Sequence, residues 1–378
     1  MDISALREKL DRIDSQMLAL LDERVALARD ISSAKRATGL PLRDADREHQ
    51  MIGAARAGEY DTLRPHEAVA FLELCLSFTR QCVHQRDCEC EPRSIAIVGL
   101  GLIGGSLAMA LKQAQPAHKL YGVDVDGRLD APRNSGLFHE LWPADQGAEA
   151  VKHADVVFLC TPLARTLELL ETLAQDVPKH ATVTDVAGVK TTIANSAAAT
   201  FNFPDAPYFV GGHPMAGKAR FGFENADAML FAGRPWILTP ASGDPVSKLN
   251  TLRTLIESTG ATLQLMLPES HDRTIACASH LPQLAATALM LTVGDRANAI
   301  AGPGLRDMTR LASSPGTMWS ELMRQVRPQL IAELQTFKAY LTELEMAVQF
   351  GEPLDKWFNR ANHLRAGLEG VANNAPGA

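Results

Sequence analysis

The chain is 378 residues long, more than one ordinary domain holds and suited to two or three. A hydrophobic share of 46% supplies more than one core, and a formal net charge of -7 argues against nucleic acid or an anionic membrane surface as a partner. There is no unbroken apolar run of about eighteen residues, and the charged, amphipathic start MDISALREKLDRID lacks the apolar segment of a signal peptide. We therefore expect no membrane span and a cytoplasmic protein.

Residues 1–86 contain no strand-like run. Apolar residues recur at helical spacing through Ile3, Leu6, Leu10, Ile13, Met17, Leu20, Leu21, Val25, Leu27, Ala28 and Ile31, which predicts a first helix of more than about thirty residues. Gly39 and Pro41 break it, and a shorter second helix starts at Asp44. Gly58 and Pro65 bracket a loop before a third, apolar helix over 68–83. Three helices cannot bury so long a first one, so the pattern calls for an intertwined homodimer. The charged, Pro-containing segment 86–93 reads as a linker.

Beyond the linker the texture changes. Short apolar runs at 95–98, 120–123, 156–160, 182–186, 208–210 and 236–238 alternate with helical stretches, as in a parallel α/β sheet. From about residue 270 strands give way to helical periodicity. The six cysteines, Cys75, Cys82, Cys88, Cys90, Cys160 and Cys277, read as reduced thiols. Cys82, His84, Cys88 and Cys90 lie close together, but the paired C-x-x-C knuckles of a structural zinc site are missing, so no metal is expected.

The stretch SIAIVGLGLIGGSLAMAL sets a buried strand before Gly99-x-Gly101-x-x-Gly104 and a helix start after it. Glycines there permit a tight turn and let a pyrophosphate approach the free N–H groups of the helix. A second strand ends in Asp124, where a carboxylate can hold a ribose diol and repel a 2′-phosphate, which favours NAD over NADP; Arg128 nearby works against that preference.

Two family resemblances now cover nearly the whole chain. Through LREKLDRID, LLDERVALA and AKRATGLPLRDADRE the N-terminal region resembles the all-helical bacterial chorismate mutases. That resemblance implies that Arg24, with Arg7 reaching across from the partner subunit, binds the substrate carboxylates. It makes Lys35 and Gln81 donors to the ether oxygen of the breaking bond, puts Glu48 on the ring hydroxyl, and adds Asp44, Arg47 and Ser77 to the site. Taken singly, Arg7, Arg24 and Lys35 read as solvated charges on a helix surface; together with R-D-A-D-R-E and the Ser–Gln pair they read as a site. The chemistry agrees, because the rearrangement needs only a held conformation and stabilised charge on the ether oxygen. Arginine's bidentate, permanent charge suits carboxylates.

From Ile95 to about residue 350 the chain looks like the prephenate dehydrogenase family, through GLGLIGGSLA, DVVFLCTP, TDVAGVK, GGHPMAG, SHLPQ and RDMTRLASS. The resemblance implies that His213 is the catalytic base and that Arg310, its segment positioned by Asp307, binds the ring carboxylate. His280 would lie near the substrate, with Gly99, Gly101, Leu102, Ile103, Gly104, Asp124, Thr161 and Pro162 along the NAD. Together the two resemblances imply a multidomain chain: an all-α chorismate mutase domain over 1–90, an α/β Rossmann NAD-binding domain over 94–265, and an all-α substrate and dimerisation domain over 266–378. The expected activity is conversion of chorismate to prephenate, then NAD-dependent oxidative decarboxylation of prephenate to 4-hydroxyphenylpyruvate.

Two departures stand out. Gly188 replaces the serine of the family's D-x-x-S-V-K, which contacts the ring hydroxyl and the base, and Lys218-Ala219-Arg220 replaces Thr-Glu after HPMAG. These leave open arogenate or a 4-amino-4-deoxy analogue as substrate, or one half of the fusion serving only as a regulatory module. After Trp357 too few residues follow for an appended amino-acid-binding domain, so any tyrosine feedback would act at the active site.

Overall fold

A computed structural model describes residues 3–38, 45–87, 91–218, 220–241, 246–297, 299–314 and 316–373. Gly39, Pro41, Asp44, Cys88 and Cys90 of the sequence reading lie outside these. The chain divides into two compact units, one made of the N-terminal helices through Asp87 with the chain from Glu343 on, the other of Cys88–Thr342.

In the first unit, α1 (Ile3–Thr38) runs 36 residues, about 54 Å of unbroken helix. α2 (Ala45–Ala57) and α3 (Pro65–Asp87) follow. α3 is longer than its apolar core predicts, because Pro65 takes the first turn, where a missing N–H costs nothing. Val25 and Leu76 are buried, yet Leu10, Ile13 and Leu20 of α1 stay 57%, 51% and 65% exposed. An apolar stripe left in water over most of a helix is a surface shaped for a partner.

The second unit is built on β1 (Ser94–Val98), α4 (Leu102–Ala114), β2 (Lys119–Asp124), α5 (Asp130–Asn134), β3 (Glu140–Pro143), α6 (Gly147–Val151), β4 (Val156–Leu159) and α7 (Leu163–Leu173). It continues with β5 (Thr182–Asp185), α8 (Thr191–Thr200), β6 (Tyr208–Pro214), β7 (Pro235–Thr239), α9 (Val246–Ser258) and β8 (Thr262–Leu265). The strands form one sheet in the order β3-β2-β1-β4-β5-β6-β7-β8, parallel except where β6 meets β7. Two apolar layers cover it, one around Ile97, Phe158 and Trp236, the other around Val98, Val157 and Leu170.

Six strands follow the apolar runs of the sequence. β3 and β8 do not, since both are sheet edges and only partly buried, and ELWP and TLQL show no continuous apolar run. β6 outlasts its apolar run by four residues, because Gly211–Pro214 pair antiparallel with 236–239.

Beyond the sheet come α10 (Pro268–Ile275), a π-turn (Ala276–His280), α11 (Leu281–Val293), α12 (Pro303–Thr309), a 3-10 turn (Arg310–Ser313), α13 (Gly316–Gln325), α14 (Arg327–Phe350) and α15 (Asp355–Asn373). The stretch Pro268–Ala297 is long and apolar enough to cross a membrane by length and composition alone. The sequence reading found no unbroken apolar run of that length because polar residues interrupt this one. Of its polar residues His271, Asp272, His280 and Gln283 are buried in the protein and Glu269 and Arg273 are exposed, while Leu291 near its end is 79% exposed. α13 is latched to the sheet layer at two points: Glu321 accepts the N–H of Ala164 at 2.6 Å, and the Thr192 hydroxyl donates to Gln325 at 3.0 Å.

Candidate active site

The glycine loop sits where β1 ends. Gly99 adopts a φ of +96°, and a side chain there would meet the Cys160 carbonyl at 2.6 Å. A methyl group on Gly104 would stand 1.9 Å from the Gly99 oxygen, whereas one on Gly101 would meet open space. The loop is therefore pressed against its own helix on one side and open on the other, as a cradle for a phosphate must be. Leu102 and Ile103 open α4 directly above it.

Asp124, at the end of β2, accepts the N–H of Leu100 at 2.7 Å and of Val125 at 2.7 Å, so its carboxylate is fixed beside the loop. Thr161 and Pro162 form the turn into α7, where the hydroxyls of Thr161 and Thr166 share a hydrogen bond of 2.9 Å. The same turn packs on the loop: a side chain at Gly99 would also meet Thr161 at 2.9 Å. All the cofactor positions expected from sequence thus gather at the ends of β1, β2 and β4.

His213 lies near the end of β6, and its Nδ1 is 2.9 Å from Nε2 of His271 on α10. The Nδ1 of His271 is in turn 2.9 Å from the Asp272 carboxylate. Asp272 also accepts the backbone N–H groups of Lys190 and Thr191, at 2.8 and 2.9 Å, and so sits on the N-terminus of α8. Burial alone would raise the pKa of this carboxyl, but hydrogen bonds from His271, Thr191 and Lys190 prevail and hold it at about 2. Burial pushes His213 well below the ordinary 6.5; His271, Lys190 and His280 act the same way, and Asp272 opposes them.

The floor of the site is an ion pair between Lys190 and Asp185, both fully buried. Lys190 Nζ also donates to the Gly212 carbonyl at 2.6 Å, and Asp185 accepts the N–H of Gly212 at 3.1 Å and of Ala187 at 2.8 Å. Burial pushes the Lys190 ammonium below its usual value, opposed by Asp185 beside it. The pair clamps the backbone next to His213. Gly212 has to be glycine here, since a side chain would come 2.6 Å from the Asp185 carbonyl.

His280 ends the π-turn, buried and edge-on to Trp319 at 5.6 Å between ring centres. Burial lowers its pKa to about 4, with Asp272 raising and His271 lowering it. Nine residues of ordinary helix make about two and a half turns, which would set His271 and His280 on opposite faces. The π-turn takes up an extra residue and swings His280 back by roughly a quarter turn. Three residues on, Gln283 donates to the Leu311 carbonyl at 2.8 Å and anchors the turn that Arg310 begins. Arg310 itself is exposed on that turn, and Asp307 lies in the last turn of α12 before it.

In the N-terminal unit, Arg24 is half-buried and donates to the Thr79 hydroxyl and to the Cys75 carbonyl, the latter at 3.2 Å. It therefore meets α3 in the stretch that carries Ser77 and Gln81. Lys35 lies on nearly the same face of α1, three turns on, whereas Arg7 is exposed and about 25 Å away along the helix. Arg47 and Glu48 begin α2.

A nucleotide-binding α/β sheet with a part-buried histidine pair at its strand ends is the architecture of a dehydrogenase, and comparison with known proteins narrows this. Residues 107–265 match the prephenate dehydrogenase nucleotide-binding domain, 267–369 the prephenate dehydrogenase dimerization domain, and 6–82 chorismate mutase type II. The prephenate dehydrogenase of Bacillus subtilis is 32% identical over 288 residues, which cover 73% of this chain and 76% of that one. Among solved structures, Synechocystis arogenate dehydrogenase is 31% identical with a TM-score of 0.63, covering 72% of this chain and 99% of its own. The prephenate dehydrogenase from Aquifex aeolicus, in complex with hydroxyphenyl propionate and NAD+, is 26% identical with a TM-score of 0.66, covering 74% and 99%. The chain belongs to the prephenate dehydrogenase family and carries a type II chorismate mutase domain ahead of it.

His271, Asp272, Asp185 and Lys190 were not singled out from sequence. The available signal was slight: a His-Asp pair nine residues before His280, and the first and last residues of the motif DVAGVK. Lys190→Met strands Asp185 as a lone buried charge, which should cost about 3–5 kcal/mol of stability. Adding Asp185→Asn should recover part of that loss. Urea unfolding of the single and double variants, followed by tryptophan fluorescence, checks both.

Proposed function

We propose that the chain is a bifunctional enzyme of tyrosine biosynthesis, acting as a cytoplasmic homodimer. The N-terminal helices rearrange chorismate to prephenate, and the remainder converts prephenate to 4-hydroxyphenylpyruvate with NAD+ as oxidant. The observation that carries the dehydrogenase reading is His213, hydrogen-bonded through Nδ1 to His271, with Nε2 beside Gly188: a methyl group on that glycine would lie 3.7 Å from it.

Gly99, Gly101 and Gly104, with Leu102 and Ile103 at the start of α4, would hold the dinucleotide's pyrophosphate. Asp124 would hold a ribose diol, and the Thr161–Pro162 turn would lie alongside. When bound, NAD+ accepts a hydride from the ring carbinol. His213 takes the hydroxyl proton as that charge leaves. Arg310 holds the ring carboxylate until it departs as carbon dioxide, a loss that restores the aromatic ring. The phenolate oxygen so formed can take back the proton that His213 removed, so the base ends the cycle neutral.

In the mutase, Arg24 and the partner's Arg7 bind the two carboxylates of chorismate, and Lys35 and Gln81 donate to the ether oxygen. Glu48 takes the ring hydroxyl, with Asp44, Arg47 and Ser77 completing the site. Support for a site shared between subunits comes from the 25 Å or so along α1 between Arg7 and Arg24, too far for one small dianion. The exposed apolar stripe of α1 supports it further.

Lys35→Ala should abolish conversion of chorismate through kcat and leave oxidation of supplied prephenate nearly intact, because the lost donor serves only the mutase transition state. Separate assays of the two reactions test this, and equal loss of both would point to a shared site. His213→Asn should lower kcat for prephenate by a factor of about a hundred to ten thousand with little change in KM. In the wild type the depressed pKa keeps His213 neutral through the whole range above 6.5. The kcat/KM for prephenate should therefore hold its plateau below pH 6.5 and fall only as pH drops through the lower value. Gly188→Ser meets only ordinary contact distances, 3.7 Å to His213 and 3.9 Å to Leu322. Its turnover of prephenate should equal or exceed the wild type, as steady-state kinetics will show.

A further inference from the structure

The orientation of the base follows from a chain of hydrogen bonds that starts away from the substrate. Asp272 caps α8 and accepts three N–H groups. A carboxylate at about 2, set on a helix N-terminus, carries no proton at neutral pH, so it only accepts. The Nδ1 of His271, 2.9 Å away, is then the donor, and a ring whose one proton sits on Nδ1 has a bare Nε2. That Nε2 can only accept, so the nitrogen of His213 that faces it, Nδ1 at 2.9 Å, must carry the proton. The lone pair of His213 is thereby placed on Nε2, the edge beside Gly188.

We propose that His271, held by Asp272, is a positioning residue for the dehydrogenase: it locks His213 in the Nδ1–H tautomer, so that Nε2 is free to take the substrate's proton. This rests on the reading of His213 as the base. An imidazole without such a partner favours the other tautomer, whose proton would sit where the lone pair is needed. Here the order of bonds is Asp272–His271–His213, two imidazoles in line behind one carboxylate. When His213 becomes an imidazolium, its Nδ1–H still points at a good acceptor, so the new positive charge is shared toward Asp272.

The test reads the tautomer directly. In full-length protein labelled with 15N in its histidine rings, His213 is assigned as the signal that His213→Asn removes. The expected spectrum shows a protonated Nδ1 and a bare Nε2 on His213 at pH 7. A protonated Nε2 on neutral His213 would overturn the proposal, whatever any variant does. Two substitutions extend the test to catalysis. His271→Gln keeps an acceptor in reach of His213, while His271→Leu removes it. Leucine should move His213 to the Nε2–H form and lower kcat for prephenate by at least about tenfold. The KM should stay nearly constant, and glutamine should restore most of the rate. A residue that merely fills space would show no such rescue and no change of tautomer. If His271→Leu keeps the wild-type rate while His213→Asn is inactive, the positioning role fails and the base survives. If His213→Asn itself keeps the wild-type rate, the reading of His213 as base fails, and with it the catalytic half of this proposal.

Discussion

The dehydrogenase half depends on one carboxylate. Asp272 comes from the helical layer beyond the sheet, yet its partners are the first backbone N–H groups of α8, in the sheet layer. Anions are stabilised at a helix N-terminus because unpaired N–H groups and the helix dipole converge there. The contact thus joins the two layers and keeps the group ionised. It also holds the ring of His271, which meets His213 on β6. Removing it would free an interface, a helix cap and a histidine together.

Close backbone approach is the second constraint. Gly104 lies against the Gly99 oxygen and Gly212 against the Asp185 carbonyl, so the chain passes itself at distances no side chain allows. At the first crossing this leaves an open face of amides for phosphate. At the second it lets β6 run on past its apolar core and carry His213 to the sheet's edge of action, with the buried Lys190–Asp185 pair as its floor. A buried ion pair is a poor source of stability in itself. Here it fixes the backbone next to His213, and both charges are satisfied by further hydrogen bonds.

The two halves solve different problems. A rearrangement within one dianion needs a rigid cage of permanent charges, which arginine and lysine on long helices supply. An oxidation needs a group that can take a proton at neutral pH, and so a neutral imidazole. The mutase helices carry their cations exposed or half-buried, while burial favours the neutral form of His213 and His280.

Amino-acid pattern alone determined the helix–sheet–helix order, six of the sheet's eight strands and the glycine loop with Asp124, since each rests on local periodicity or on a short motif, whereas His213 was singled out only through the resemblance carried by GGHPMAG. β3 and β8 escaped it because edge strands are only half covered and carry no continuous apolar run. The membrane-length apolar stretch from Pro268 escaped because buried polar residues interrupt it. His271 and Asp272 escaped for a deeper reason. Their partners lie 58 and 82 residues away in the chain, and nothing in the dipeptide His-Asp tells it from a solvated pair on a helix. Only the packing of α10 against α8 and β6 makes one of them a cap and the other a hydrogen-bond acceptor. The identity of a base can be written in a motif, but which of its two nitrogens carries the proton is set by neighbours that only the folded chain brings within 3 Å or so.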